Sequence, residues 1–125
     1  MLRKIRKMLK QQEGFTLVEL MIVVVILGIL AGIGIQQYGK VQENARITAH
    51  NSNIRIIEGA AQMYVMAEQN PLTGEFDSES DTTLESLLEG YLREVPDYPW
   101  EGEYSLEIEF DEDLGYTFTV KPEAR

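Results

Sequence analysis

Two hydrophobic patterns follow one another along the first half of the chain. Between Leu20 and Ile35 sixteen consecutive residues are apolar or glycine, and Phe15–Val18 extends the band, with Thr16 and Glu19 as its only polar interruptions. As a helix, residues 15–35 would be ~31 Å long, enough to span the hydrocarbon core of a bilayer. After Ile35 the pattern turns amphipathic without a loop. Ile47, Ile54, Ile57, Ala61 and Tyr64 recur at spacings of 7, 3, 4 and 3, which is one helical face. No proline occurs before Pro71. Together the two patterns predict one helix from near Phe15 to about Gln69, its second half covered by the residues that follow. Arg46 and Arg55 lie outside the apolar stripe and are expected in solvent.

Beyond Gln69 the elements shorten. Asn70-Pro71-Leu72-Thr73-Gly74 stops the helix, and Glu75–Asp81 reads as a polar, acidic loop. Thr82-x-x-Glu85 is a capping box ahead of Leu84, Leu87 and Leu88, which predicts a short helix over about 82–89 closed near Gly90. Pro96 and Pro99 demand an extended connector. Glu103–Phe110 and Tyr116–Val120 then alternate as two strands, joined by Asp111–Gly115 as a hairpin turn. Tyr104, Leu106, Ile108 and Phe110 share one strand face, and Tyr116, Phe118 and Val120 supply its neighbour. A two-stranded sheet is marginal alone, so the long helix must form its second layer. The predicted fold class is α+β: a long N-terminal helix, membrane-spanning in its first half, packed against a small antiparallel β-hairpin head. Trp100 is expected at the rim of that core.

Charge sharpens the division. Of eleven Lys and Arg residues, five (Arg3, Lys4, Arg6, Lys7, Lys10) precede the apolar band, whereas from Glu68 onward seventeen acidic residues face only Arg93, Lys121 and Arg125. The cations are expected to stay in the cytoplasm and the acidic body outside. Nucleic-acid binding by that body is disfavoured, because phosphate contacts need cations. There is no cysteine and one histidine, His50, which leaves little material for thiolate, disulfide or general acid–base chemistry.

The single carboxylate in the apolar band, Glu19, sets this segment apart from a plain anchor. A charge at the bilayer centre costs roughly 2.5–3.5 kcal/mol on insertion scales, so it seldom stands there without a partner. A secretory signal peptide fits less well: the apolar run is too long, with no tidy small-x-small cleavage site after it. The segment "GFTLVELMIVVVILGILAGIGIQQY", about residues 14–40, resembles the amino-terminal region of type IV pilins and pseudopilins. The resemblance implies a leader, 1–14, that a prepilin peptidase removes after Gly14, N-methylation of the new terminus at Phe15, and a role for Glu19 in subunit assembly. Residues 15–35 would then form the transmembrane and filament-core segment, and 36–125 the extracellular head with the second half of the helix. When helices pack, the α-amino group of Phe15 in one subunit can meet Glu19 of another; a paired buried carboxylate is tolerated where an isolated one is penalised. This sequence has Gln36 where the family usually has proline. Gly28, Gly32 and Gly34 either weaken the helix there, at about 0.8–1.0 kcal/mol each, or serve close helix packing through the Gly28-x-x-x-Gly32 spacing.

The implied function is a structural subunit, a prepilin whose processed form polymerises through its N-terminal helix into a type IV pilus-like filament. The alternatives are a pseudopilin of a type II secretion or DNA-uptake machine and, outside the family, a single-pass anchored binding domain that never polymerises. Implied partners are other copies of the chain, the prepilin peptidase that also methylates, an assembly-platform membrane protein and, indirectly, an assembly ATPase. The expected location is the cytoplasmic membrane before assembly and a cell-envelope or extracellular filament after it. No enzyme activity, metal or cofactor is expected. Asp111, Glu112 and Asp113 have the hard oxygen ligands calcium takes, and "YPWEGEY" faintly resembles the segment before the calcium loop of some pseudopilins. The glycine- and aspartate-rich loop is missing, however, so a solvated turn is the expectation. The acidic pairs elsewhere lack a His, Ser or Lys beside them. Of eleven aromatic residues, only Tyr38 is placed by sequence position for aromatic contacts between subunits.

Overall fold

The computed structural model describes residues 1–4, 6 and 14–125, so most of the expected leader, 7–13 with Ile5, lies outside the described residues. Helix α1, Leu17–Ala67, has 51 residues. It stops two residues short of the predicted end. Gly28, Gly32, Gly34 and Gln36 all lie within it without interruption, so the glycines do not break it. Among the described residues, a Cβ at Gly28 or Gly32 would meet nothing within 4 Å beyond the neighbouring helix backbone.

The chain divides into two compact units, Met1–Val41 and Gln42–Arg125. In the first, every described side chain is exposed, including the whole apolar run. A helix apolar all round needs a non-aqueous neighbour, either lipid or other helices. Its length and composition suffice to cross a membrane.

The second unit holds the core. Ile54, Ile57, Ala61 and Tyr64 of α1 are buried, as the spacing predicted; Ala60, outside that stripe, is buried too, while Ile47 is only half-buried. They pack with Phe76, Leu84, Leu87, Leu88, Tyr104, Leu106, Ile108 and Val120. After α1 the chain turns back, and the Leu72 amide donates to the Tyr64 hydroxyl at 3.1 Å, tying the connection to the last helical turn.

The sheet has three strands, one more than the sequence pattern predicts. Strand β1, Gly74–Phe76, begins at the end of the expected helix stop and runs into the expected acidic loop; it pairs antiparallel with β2, Ser105–Asp111, which pairs antiparallel with β3, Gly115–Lys121. The order is β1-β2-β3. Phe76 pairs opposite Leu106 and is buried, which gives a segment of three residues enough apolar contact to hold. Glu75 faces Glu107 across the same ladder, an arrangement that opposes pairing. Lys121 Nζ offsets it, 3.0 Å from Glu107 and 3.7 Å from Glu75.

Three further expectations need correction. The short helix α2 covers only Leu84–Leu87, and its cap is Thr83, not Thr82: the Ser86 amide donates to Thr83 Oγ1 at 3.3 Å. Thr83 has the extended backbone of an N-cap, and its side chain caps the helix although Ser86, not Glu85, stands three residues on. Phe110 shares the strand face of Leu106 and Ile108, yet it is 59% exposed while they are fully buried, because the cover of that face ends before it. The β2–β3 turn is shorter than expected, Glu112–Leu114, closed by Gly115 in the left-handed region at φ +79°. Asp111 Oδ1 accepts from the amides of Asp113 (2.8 Å) and Leu114 (3.0 Å), and these backbone hydrogen bonds lower its pKa. Asp111 therefore closes a turn. Among the described residues no group of three or more His, Asp or Glu is placed to hold a metal ion.

Candidate assembly site at the start of the helix

Gly14, Phe15 and Glu19 lie together at the entrance to α1. Residues 14–16 are not helical, and the helix starts at Leu17. Gly14 is exposed, and a Cβ there would meet nothing within 4 Å. Phe15 is 84% exposed.

Glu19 has a partner that the opening pattern does not announce. Its Oε2 accepts from the Thr16 amide at 2.9 Å, while its own amide donates to Thr16 Oγ1 at 3.2 Å. This is a reciprocal capping box, satisfying two of the donors that every helix start leaves open. The carboxylate also sits in the first turn, where the helix dipole favours negative charge. Such caps are worth about 0.5–2 kcal/mol. Glu19 is consequently held in place within the chain, its side chain drawn toward Thr16, the residue that follows Phe15. The signal for Thr16 was present: Thr16-x-x-Glu19 has the same spacing as the box read at Thr82.

His50 was the other residue missed. It falls on the apolar stripe between Ile47 and Ile54 and is fully buried. Its Nε2 lies 2.8 Å from the Glu123 carbonyl and Nδ1 2.9 Å from the Tyr104 hydroxyl. A carbonyl can only accept, so in the neutral ring Nε2 carries the hydrogen and Nδ1 accepts from Tyr104. Burial raises the Tyr104 pKa, which keeps that hydroxyl a donor. Tyr98 and Trp100 pack edge-on at 5.4 and 5.5 Å, and the Arg125 guanidinium lies 4.4 Å over the Trp100 ring. Trp100 is half-buried, at the rim as expected. With both ring nitrogens engaged, His50 is a structural clasp between α1, the residue just before β2 and the segment after β3.

Comparison with known proteins agrees with this geometry. Residues 9–35 match the prokaryotic N-terminal methylation motif. The type II secretion system core protein G of Pseudomonas aeruginosa is 34% identical over 110 residues, covering 76% of this chain and 72% of the relative. The chain belongs to the pilin and pseudopilin family. The core protein G of Escherichia coli K12 is also 34% identical, over 104 residues, 77% of this chain and 72% of that protein. A Pseudomonas aeruginosa fimbrial protein is 43% identical over 58 residues, 46% of this chain and 38% of its own. No solved structure matches. As a member of this family the chain is a structural subunit of the pilin or pseudopilin kind, not of an enzyme family, and its apolar N-terminal helix fits a membrane-anchored protein. The long helix with a small antiparallel sheet is the pilin-like α+β layout that the resemblance implied.

Proposed function

We propose that this pilin-family chain is a prepilin that a peptidase cuts after Gly14 and methylates on Phe15, and that the processed subunit polymerises through the apolar half of α1. The observation that carries the proposal is the joint position of an open Gly14, an exposed Phe15 and a capped Glu19 at one helix start. Cutting there creates an α-amino group on Phe15, whose unperturbed pKa lies near ~7.7–8.0. In the filament that cation meets Glu19 of a neighbour, which fixes the register between subunits. The basic residues before the apolar band hold the leader in the cytoplasm and leave the acidic head outside. Assembly then needs a platform membrane protein and, behind it, an ATPase.

A second reading concerns the kind of filament. Similarity to the core proteins G extends over three-quarters of the chain, whereas the fimbrial match covers less than half. That difference favours a pseudopilin of a secretion-type fibre over the main subunit of a surface pilus. The amino-terminal mass of the protein recovered from membranes tests the proposal. It should begin at Phe15 and carry one methyl group; a chain retaining residues 1–14 in a cell with an active prepilin peptidase would contradict it.

A further inference from the structure

The head has two exposed apolar surfaces with opposite charge. On α1, Ser52, Ile56, Gly59, Met63 and Met66 recur at spacings of 4, 3, 4 and 3, a stripe on the side away from Ile54, Ile57, Ala61 and Tyr64. Ile56, Met63 and Met66 are 47, 51 and 84% exposed. The stripe contains no acidic residue, and the one charge beside it is Arg55, exposed and outside the ion pairs found among the described residues. At the β2–β3 turn, Phe110 and Leu114 are 59 and 79% exposed, and Asp111, Glu112 and Asp113 lie between them.

We infer that the Ile56–Met63–Met66 face of α1 is a docking surface for the β2–β3 turn of a second copy of this chain. The inference rests on the filament reading above and adds the contact between heads. Charge selects the occupant. From Glu68 onward the chain carries seventeen acidic residues and three cations, so most faces of two heads repel each other. A cation beside an apolar stripe and an acidic turn with two apolar residues instead complement each other in both respects. The two patches are different surfaces, so their contact is heterologous and leaves a free copy of each patch at the two ends. That is the condition for open-ended growth. Methionine side chains suit the helix side of this contact, since they adapt to irregular apolar partners.

The chain contains no cysteine, so introduced thiols report this contact cleanly. Met63→Cys with Leu114→Cys in the full-length chain should give filaments that oxidise to a ladder of dimers, trimers and longer products on non-reducing gels. A mixture of the two single variants should stop at dimers, and each single variant alone should stay monomeric. Filaments of the double variant that remain monomeric would overturn the docking, and so would equal dimers from Met63→Cys alone. Should the double variant not assemble, charge exchange decides. Arg55→Glu should lower filament yield by about fivefold or more, and Arg55→Glu with Asp113→Arg should restore it; no restoration overturns the pairing. Absence of filaments from the unmodified chain would instead overturn the filament reading itself, and the docking with it.

Discussion

At the residue scale, the head depends on a histidine rather than on hydrophobic residues alone. His50 has no solvent contact, and both nitrogens are bound, so replacing it leaves the buried Tyr104 hydroxyl without its partner and releases the Glu123 carbonyl at the edge of the head. A buried group left unpaired costs ~1–3 kcal/mol. His50→Leu in a fragment starting at Gln42 should therefore melt well below the parent, at roughly 4–8 °C per kcal/mol for a domain of this size. Equal melting temperatures would mean that the clasp contributes nothing. The sequence pattern left His50 unassigned because a lone polar residue on an apolar stripe does not reveal its partners; Glu123 is 73 positions away. Thr16 was different. Its partner is three residues on, and a local rule already covered it. Local hydrogen bonds were legible and distant ones were not.

Elements show the same limit. Helical spacing identified the buried face of α1, and alternation identified β2 and β3. Strand β1 was missed because its three residues, Gly74–Phe76, form a strand only through pairing with β2, at partners 30 to 34 positions later. Alternation also names a face without saying how far the cover over it extends, which is why Phe110 was misassigned. The correction has a consequence. Leu106→Ala or Ile108→Ala should destabilise the head by ~2–5 kcal/mol, whereas Phe110→Ala should fall within about 1 kcal/mol of the parent. Comparable losses at all three positions in denaturant melts would contradict the exposure of Phe110. Lys121 provides a pH signature. Its neighbours Glu107 and Glu75 raise its pKa, with the Glu107 hydrogen bond the largest cause. A raised folded value means that its stabilisation is fully present below the ordinary lysine value and is lost as pH rises through the raised one. Lys121→Gln should remove that alkaline decline and leave Glu75 opposite Glu107 uncompensated at neutral pH, with a loss that is largest at low salt. A pH profile identical to the parent's would show that the three charges do not act together.

For the whole molecule, the two units serve different environments. Gln42–Arg125 buries a small core, while the described side chains of Met1–Val41 are all exposed. In water that apolar surface is untenable, and lipid or neighbouring helices are the environments that suit it. Moving from lipid to a helix bundle changes little for Leu, Ile and Val, but it changes the situation of Glu19. In the single chain the Thr16 amide holds its carboxylate; in the bundle we propose, a neighbour's Phe15 amino group would add a full counter-charge. The central claim is that Glu19 acts in assembly. Glu19→Val tests it most directly when cleavage in membranes and yield of sheared filaments are measured on the same cells. Valine leaves the apolar helix at least as suited to lipid, so insertion and cleavage should be intact. Filaments should be lost or strongly reduced, since removing one partner of a buried pair costs about 3–5 kcal/mol. Uncut precursor would assign Glu19 to recognition by the peptidase, and normal filaments from cleaved Glu19→Val subunits would contradict the account outright.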